Sequence, residues 1–277
     1  METIVVKSEY FNPTQTLECG QVFRYKPYKN GYTVISRDKI CYIHSDLENT
    51  YIETEFKDYF YNYFDLDTDY SKIVSSAQSY NIEILTNASR ASKGIRILKQ
   101  DPEETLFSFI ISQNNFIKRI SNTIEKTCEL VGEKLTSPFG DYYAFPTAKA
   151  LSMLNDSDYK ALGYGYRANY IKELACKVVN GYNVKSYYNL DYNSLVKELT
   201  SNLGVGEKVA NCVTLFGFNK TESFPVDTWI EKIYREDLLG TLTDRKKITQ
   251  ELTQKFGVNS GYYQQYLFYY KRLFNSL

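Results

Sequence analysis

Histidine is nearly absent: one residue, His44, in a chain of 277. It lies in a stretch that reads as a strand, which argues against a histidine-dependent triad or a multi-histidine metal site. Cysteine is sparse and scattered at Cys19, Cys41, Cys128, Cys176 and Cys212. An odd count without paired spacing excludes a disulfide framework and gives no zinc or iron–sulfur ligand set. It fits a reducing, intracellular compartment. No apolar run is long enough to span a bilayer. The opening Met1-Glu-Thr-Ile-Val-Val6 lacks the charged-then-apolar layout of a signal peptide. There is no Walker A sequence and no Gly-x-Gly-x-x-Gly after a strand. Lys plus Arg (33) balance Asp plus Glu (33), so no global field draws in a polyanion. Any nucleic-acid contact would rest on a local patch and backbone N–H groups.

What is present suffices for a sizeable core: 43% hydrophobic residues at a mean hydropathy of −0.43. The length exceeds one average domain, so one large or two moderate domains are expected. Thr3–Val6, Gln21–Tyr25, Tyr32–Ser36, Ile40–His44 and Thr50–Thr54 read as short strands, with turns at Lys29–Gly31 and Arg37–Asp38. Glu55–Phe64 and Ser71–Asn87 read as helical. From about residue 95 the apolar period becomes helical. Asp101-Pro-Glu-Glu104 is a helix start, with Asp as N-cap, Pro at the first helical position and Glu three on from the cap. Ile117, Ile120, Ile124, Cys128 and Val131 recur at helical spacing up to Gly132, and Ile171–Val179 repeats the pattern. Further helices are expected before and after Gly204, from Thr243, and from about Gly261 to Leu273. The pattern predicts an α+β protein: an antiparallel sheet domain over residues 1–95, then a helical domain over 96–277.

The stretch richest in chemistry is Leu203-Gly-Val-Gly-Glu-Lys-Val-Ala-Asn-Cys212. It reads as a glycine turn feeding a helix, whose opening N–H groups can meet a phosphate. Lys208 lies in the first turn, four residues before Cys212 and so on the same face. An ammonium at the positive end of a helix dipole is disfavoured, which raises the question of a nucleophilic amine. Nineteen residues on, Phe224-Pro-Val-Asp227 leads into Thr-Trp-Ile, as a helix N-cap would. Spacing alone leaves the simpler readings open: a solvated lysine, a capping aspartate and an ordinary helical hairpin.

Leu203–Cys212 together with Phe224–Asp227 resembles the helix–hairpin–helix plus Gly/Pro…Asp signature of base-excision DNA glycosylases. More narrowly, the chain resembles the 8-oxoguanine DNA glycosylase/lyase family, over nearly its whole length. Gly20-Gln-Val-Phe-Arg-Tyr25, Gln100–Asn115, Leu162-Gly-Tyr-Gly-Tyr-Arg-Ala168 and Tyr263-Gln-Gln-Tyr-Leu-Phe268 fall in the family's order. The resemblance implies a sheet of the TATA-binding-protein type followed by a helical glycosylase domain. It makes Lys208 the nucleophile and Asp227 the carboxylate that stabilises charge developing on the sugar. It places Gly20, Cys212, Gln264 and Phe268 around the damaged base. Asn114, Arg119, Tyr166 and Arg167 become DNA contacts, Asn114 filling the gap left by flipping and the two arginines meeting the orphaned cytosine. Gly204, Gly206 and Val209 become the phosphate-binding positions of the hairpin. No cofactor or metal is implied, although carbonyls of such a turn can hold a structural cation.

Two departures stand out. The family's eukaryotic members carry three successive Asn where this chain has Asn114-Asn115-Phe116, which predicts weaker discrimination for cytosine opposite the lesion. A phosphate-contacting His two residues after the Asp is here Trp229, so that contact is not expected. The short N-terminal region suggests a bacterial member acting in the cytoplasm; the expected partner is double-stranded DNA that contains 8-oxoguanine, and a monomer is expected. The alternatives are a same-fold glycosylase for another damaged base and a non-catalytic DNA-binding module.

Overall fold

In a computed structural model, which describes residues 1–275, five strands form one antiparallel sheet. They are β1 (Glu2–Lys7), β2 (Tyr25–Tyr28), β3 (Gly31–Ser36), β4 (Lys39–Ser45) and β5 (Asn49–Thr54), in the order β1-β5-β4-β3-β2. Lys29 and Arg37 take positive φ (48° and 55°) at the two tight turns, where the sequence places them. Pro27 sits on the edge strand β2, where a missing N–H costs no ladder bond. Val34, Cys41, Ile43 and Ile52 face a small core closed by Phe60 and Tyr63 of the helix Lys57–Tyr63 and by Phe64, which caps its end.

The second core is larger and helical. It includes Ile73 and Val74 of the helix Tyr70–Ser79 and Leu85 and Ala88 of the helix Glu83–Ala91. These early helices pack with the late ones, above all with the C-terminal helix Ser260–Asn275. The beginning and the end of the chain therefore meet.

Three sequence expectations change. Gln21–Tyr25 is not a strand up to Tyr25: the Gln21 amide donates to the carbonyls of Thr16 and Arg96 and accepts from the Leu98 N–H, which holds this run as a buried loop. Ser71–Asn87 is two helices, because Asn81 at φ 54° breaks the ladder between them. Asp101 does cap its helix, accepting from Glu103 N (3.1 Å) and Glu104 N (3.0 Å). Glu104, however, does not turn back to close a capping box. It is buried, and its Oε2 accepts the Arg37 N–H at 2.6 Å.

That displaced carboxylate helps join sheet to helices. Arg24, 2% exposed, bonds Glu125 (3.1 Å) and the Tyr143 carbonyl and lies 3.8 Å from Glu104. Burial pushes the Glu104 carboxyl up, while Arg24 pulls it back. A buried pair adds little over an apolar one, but removing one partner strands the other charge. Arg24→Met should therefore cost about 3–5 kcal/mol of stability in urea unfolding. A loss under about 1 kcal/mol would show that the carboxylates find other partners.

Candidate active site

Five separate segments build one cavity. The helix Glu207–Phe216 starts at Gly206 with no capping side chain. Its residues from Val209 to Phe216 are all buried, so it has no solvated face, and Lys208 is half-buried at the cavity wall. The Lys208 Nζ lies 5.2 Å from the centroid of the Phe109 ring. Lys208 is thus partly withdrawn from solvent, against an aromatic ring. Asp227 is the N-cap of the helix Thr228–Glu236: its Oδ1 accepts from Trp229 N (3.0 Å) and Ile230 N (2.9 Å). Two short N–H bonds fix the carboxylate in place at the cavity edge.

The remaining walls come from the chain's two ends. Gly20 follows the helix Pro13–Glu18 at φ +84°, a conformation that favours glycine. A Cβ there would sit 3.4 Å from Cε1 of Phe268, so the backbone approaches that ring closely. Gln264, Gln265 and Phe268 project from the C-terminal helix. Gln265 Nε2 donates to the Cys19 carbonyl at 2.9 Å, which pins the Gly20 loop to this helix. The Gln264 Oε1 is buried with no hydrogen-bond partner. Gly20, Lys208, Cys212, Asp227, Gln264 and Phe268 all line the same pocket. It opens into an outer cleft bounded by Phe116, Trp229 and Arg272.

Burial pushes the Cys212 thiol up, and Asp227 adds to this while Lys208 opposes it. Cys212 therefore stays a thiol at neutral pH and offers a soft apolar surface instead of a competing thiolate. Burial likewise raises Cys19 to about 11.

The two hairpin glycines have different reasons. Gly204 has φ +76°, and a Cβ there would fall 2.3 Å from the Tyr170 ring, so the fold demands glycine. Gly206 has φ −87°, and a Cβ would meet nothing within 4 Å. Its bareness leaves room for close approach from outside. The Val209 side chain is buried, so only its backbone can serve a ligand.

A second cluster gathers around the turn at Gln113 and Asn114. Asn114 is exposed at φ 45° in the turn after the helix Pro102–Ser112. Tyr166 is 53% exposed, and Arg119 is exposed with Nη2 3.5 Å from the Gly163 carbonyl. Arg167 departs from the expectation of an arginine open to a base. It is 5% exposed and donates to the carbonyls of Gln113 (2.8 Å from Nε), Asn114 (3.0 Å) and Tyr164 (3.3 Å). Those unpaired turn carbonyls need donors, and Arg167 braces the turn that presents Asn114.

Sequence reasoning missed Phe109, Gln265 and Arg272. Phe109 looked like one more apolar residue in a helix that is buried almost all round. Arg272 could have been found, since it is four residues beyond Phe268 on one helix.

Residues 3–106 match the family described as 8-oxoguanine DNA glycosylase, N-terminal domain, and residues 107–257 match the HhH-GPD superfamily base excision DNA repair protein family. The fold is similar to that of an 8-oxoguanine glycosylase/lyase from Clostridium acetobutylicum, crystallised with duplex DNA containing cytosine opposite 8-oxoguanine. The TM-score is 0.92 at 37% identity, over 99% of this chain and 96% of that one. The chain belongs to the HhH-GPD superfamily of base excision DNA repair proteins. A probable N-glycosylase/DNA lyase from Methanothermobacter thermautotrophicus is 28% identical over 94% of this chain and 82% of its own. The N-glycosylase/DNA lyase of Saccharomyces cerevisiae is 36% identical over 61% of this chain and 48% of its own. In this HhH-GPD protein, no helix among the described residues is long and apolar enough to cross a membrane.

The environment of the five cysteines is directly testable. Only Cys176 is exposed, while Cys41 and Cys128 lie in the two cores, so a thiol reagent should modify Cys176 quickly and leave Cys41 and Cys128 unmodified until the protein unfolds. Fast modification of Cys41 or Cys128, read by peptide mass mapping, would contradict their burial.

Proposed function

We propose that the pocket takes a flipped 8-oxoguanine, releases it, and then nicks the strand. The observation that carries this reading is the buried, unpartnered Gln264 Oε1 in the same cavity as Lys208. A stranded acceptor costs about 1–3 kcal/mol unless a ligand supplies its donor. The Watson–Crick edge of a guanine-type base carries such N–H donors. The Gly20 carbonyl is the acceptor for the N7–H that 8-oxoguanine has and guanine lacks; the lone pair of guanine N7 would be repelled there. Cys212 and Phe268 sandwich the ring.

The protein is an N-glycosylase and DNA lyase, and the steps proposed for it use its own side chains. The Lys208 nitrogen attacks C1′ as the C1′–N9 bond breaks, and the base leaves with the bonding electrons and takes up a proton. Asp227, held in place by its two backbone donors, stabilises the positive charge on the sugar. Loss of the amine proton and ring opening give a Schiff base between Lys208 and C1′. The iminium acidifies the C2′ proton. Its removal expels the 3′ phosphate oxygen, breaking the strand on the 3′ side of the site.

The hairpin supports phosphate binding through the uncapped helix start and the bare Gly206. Among the described residues no three His, Cys, Asp or Glu side chains converge, so a cation at this turn would rest on backbone carbonyls, as a structural ion. Asn114 and Tyr166 fill and wedge the duplex once the base is out, which otherwise costs a few kcal/mol. Phe116, 68% exposed beside them, has no donor or acceptor for the opposite base. We therefore read weaker discrimination for cytosine there. A single chain supplies every wall of the pocket, which supports a monomer as the active species.

Single-turnover release from a panel of lesion duplexes tests this reading. 8-Oxoguanine should leave fastest, and Lys208→Gln should abolish both release and nicking. Faster release of an alkylated base or an oxidised pyrimidine would reassign the substrate. Wild-type binding without cleavage would make the protein a DNA-binding module. The hairpin gives a second test. Gly206→Ala should keep stability within about 0.5 kcal/mol yet weaken DNA binding, whereas Gly204→Ala should lose stability. Equal loss of stability in both would contradict the assignment of Gly206 to a ligand.

A further inference from the structure

Arg272 touches both walls of the pocket that would grip a base. Its guanidinium carbon lies 5.3 Å from the centroid of the Phe268 ring. Nη1 lies 3.4 Å from the Glu18 carbonyl, at the end of the helix that leads into Gly20, and donates to it. The same nitrogen is 3.7 Å from where a Cβ on Gly20 would sit, and Cε1 of Phe268 is 3.4 Å from that point. Arg272 also borders the outer cleft with Lys208 and Asp227. One planar cation thus spans the aromatic face and the backbone loop, on the solvent side of the link made by Gln265 to Cys19.

We propose that Arg272 is a positioning residue for lesion readout, resting on the reading that this pocket holds the flipped base. It fixes the spacing between the Phe268 ring and the Gly20 carbonyl, so that a planar purine meets both at once. A guanidinium suits this because it stacks on an aromatic ring while its N–H groups bond a carbonyl in the same plane; an ammonium does not stack in that way. Its action is on the base and not on the sugar. An abasic site has no ring for Phe268 to hold, so strand nicking at a ready-made abasic site is independent of Arg272.

The test compares two reactions of one protein with enzyme in excess, so that rates report steps after binding. One is base release from an 8-oxoguanine duplex; the other is nicking of the same duplex carrying a preformed abasic site. Arg272→Gln should slow base release about tenfold, the size of a partly desolvated cation–π contact. It should leave nicking within about twofold of wild type, which also proves the variant folded. Arg272→Lys, which keeps the charge but not the plane, should recover only part of the lost rate. Equal loss in both reactions would make Arg272 a general support of the fold or of DNA binding, and unchanged base release would leave it without a role; either result overturns the proposal. Failure of the underlying reading is separate: wild type would then nick the abasic duplex yet release no 8-oxoguanine.

Discussion

The hydrogen bond from Gln265 Nε2 to the Cys19 carbonyl spans 246 positions of sequence and closes the site. A buried carbonyl must find a donor, and here the C-terminal helix supplies it. Meeting that need fixes the Gly20 loop against Phe268 and Gln264. The positive φ of Gly20 completes the constraint, because it lets the backbone approach the aromatic ring. The sheet's main contribution is indirect: together with the Arg24 carboxylate contacts it gives the loop a firm base.

On the proposed reading, chemistry and selection come from different parts of the chain. Lys208 and Asp227 belong to a compact stretch in which one helix start and one helix cap set both side chains. A capping carboxylate held by two N–H groups needs no reorganisation when positive charge develops beside it. Selection belongs to the chain's two ends, brought together by packing of the early helices on the last one. Cys212 links the two functions: it shares a helix face with Lys208, and as a thiol it forms one wall of the pocket without competing for the sugar carbon.

Much of this was legible in sequence, for physical reasons. The period-2 strands, the Asp101-Pro102 helix start, the Asp227 cap and the glycine turn each follow from local preference. The four-residue spacing of Lys208 and Cys212 gave their common face. Local preference failed where a side chain served a distant partner. Gln21 sits in a strand-like run but bonds Thr16, Arg96 and Leu98, and Glu104 looks like half of a capping box but turns to Arg37. The resemblance makes Arg167 a contact to the orphaned cytosine, yet the carbonyls of Gln113 and Asn114 draw it inside. No spacing rule joins Gly20 to Gln264 and Phe268; only a family resemblance did so before the fold was seen.

The central claim is that one lysine, at the mouth of a pocket built by both ends of the chain, forms the covalent intermediate. Peptide mass mapping after borohydride reduction on an 8-oxoguanine duplex tests it most directly. The account predicts one DNA adduct, on the peptide that carries Lys208. An adduct on another lysine or on the terminal amine, with Lys208 unmodified, would contradict it.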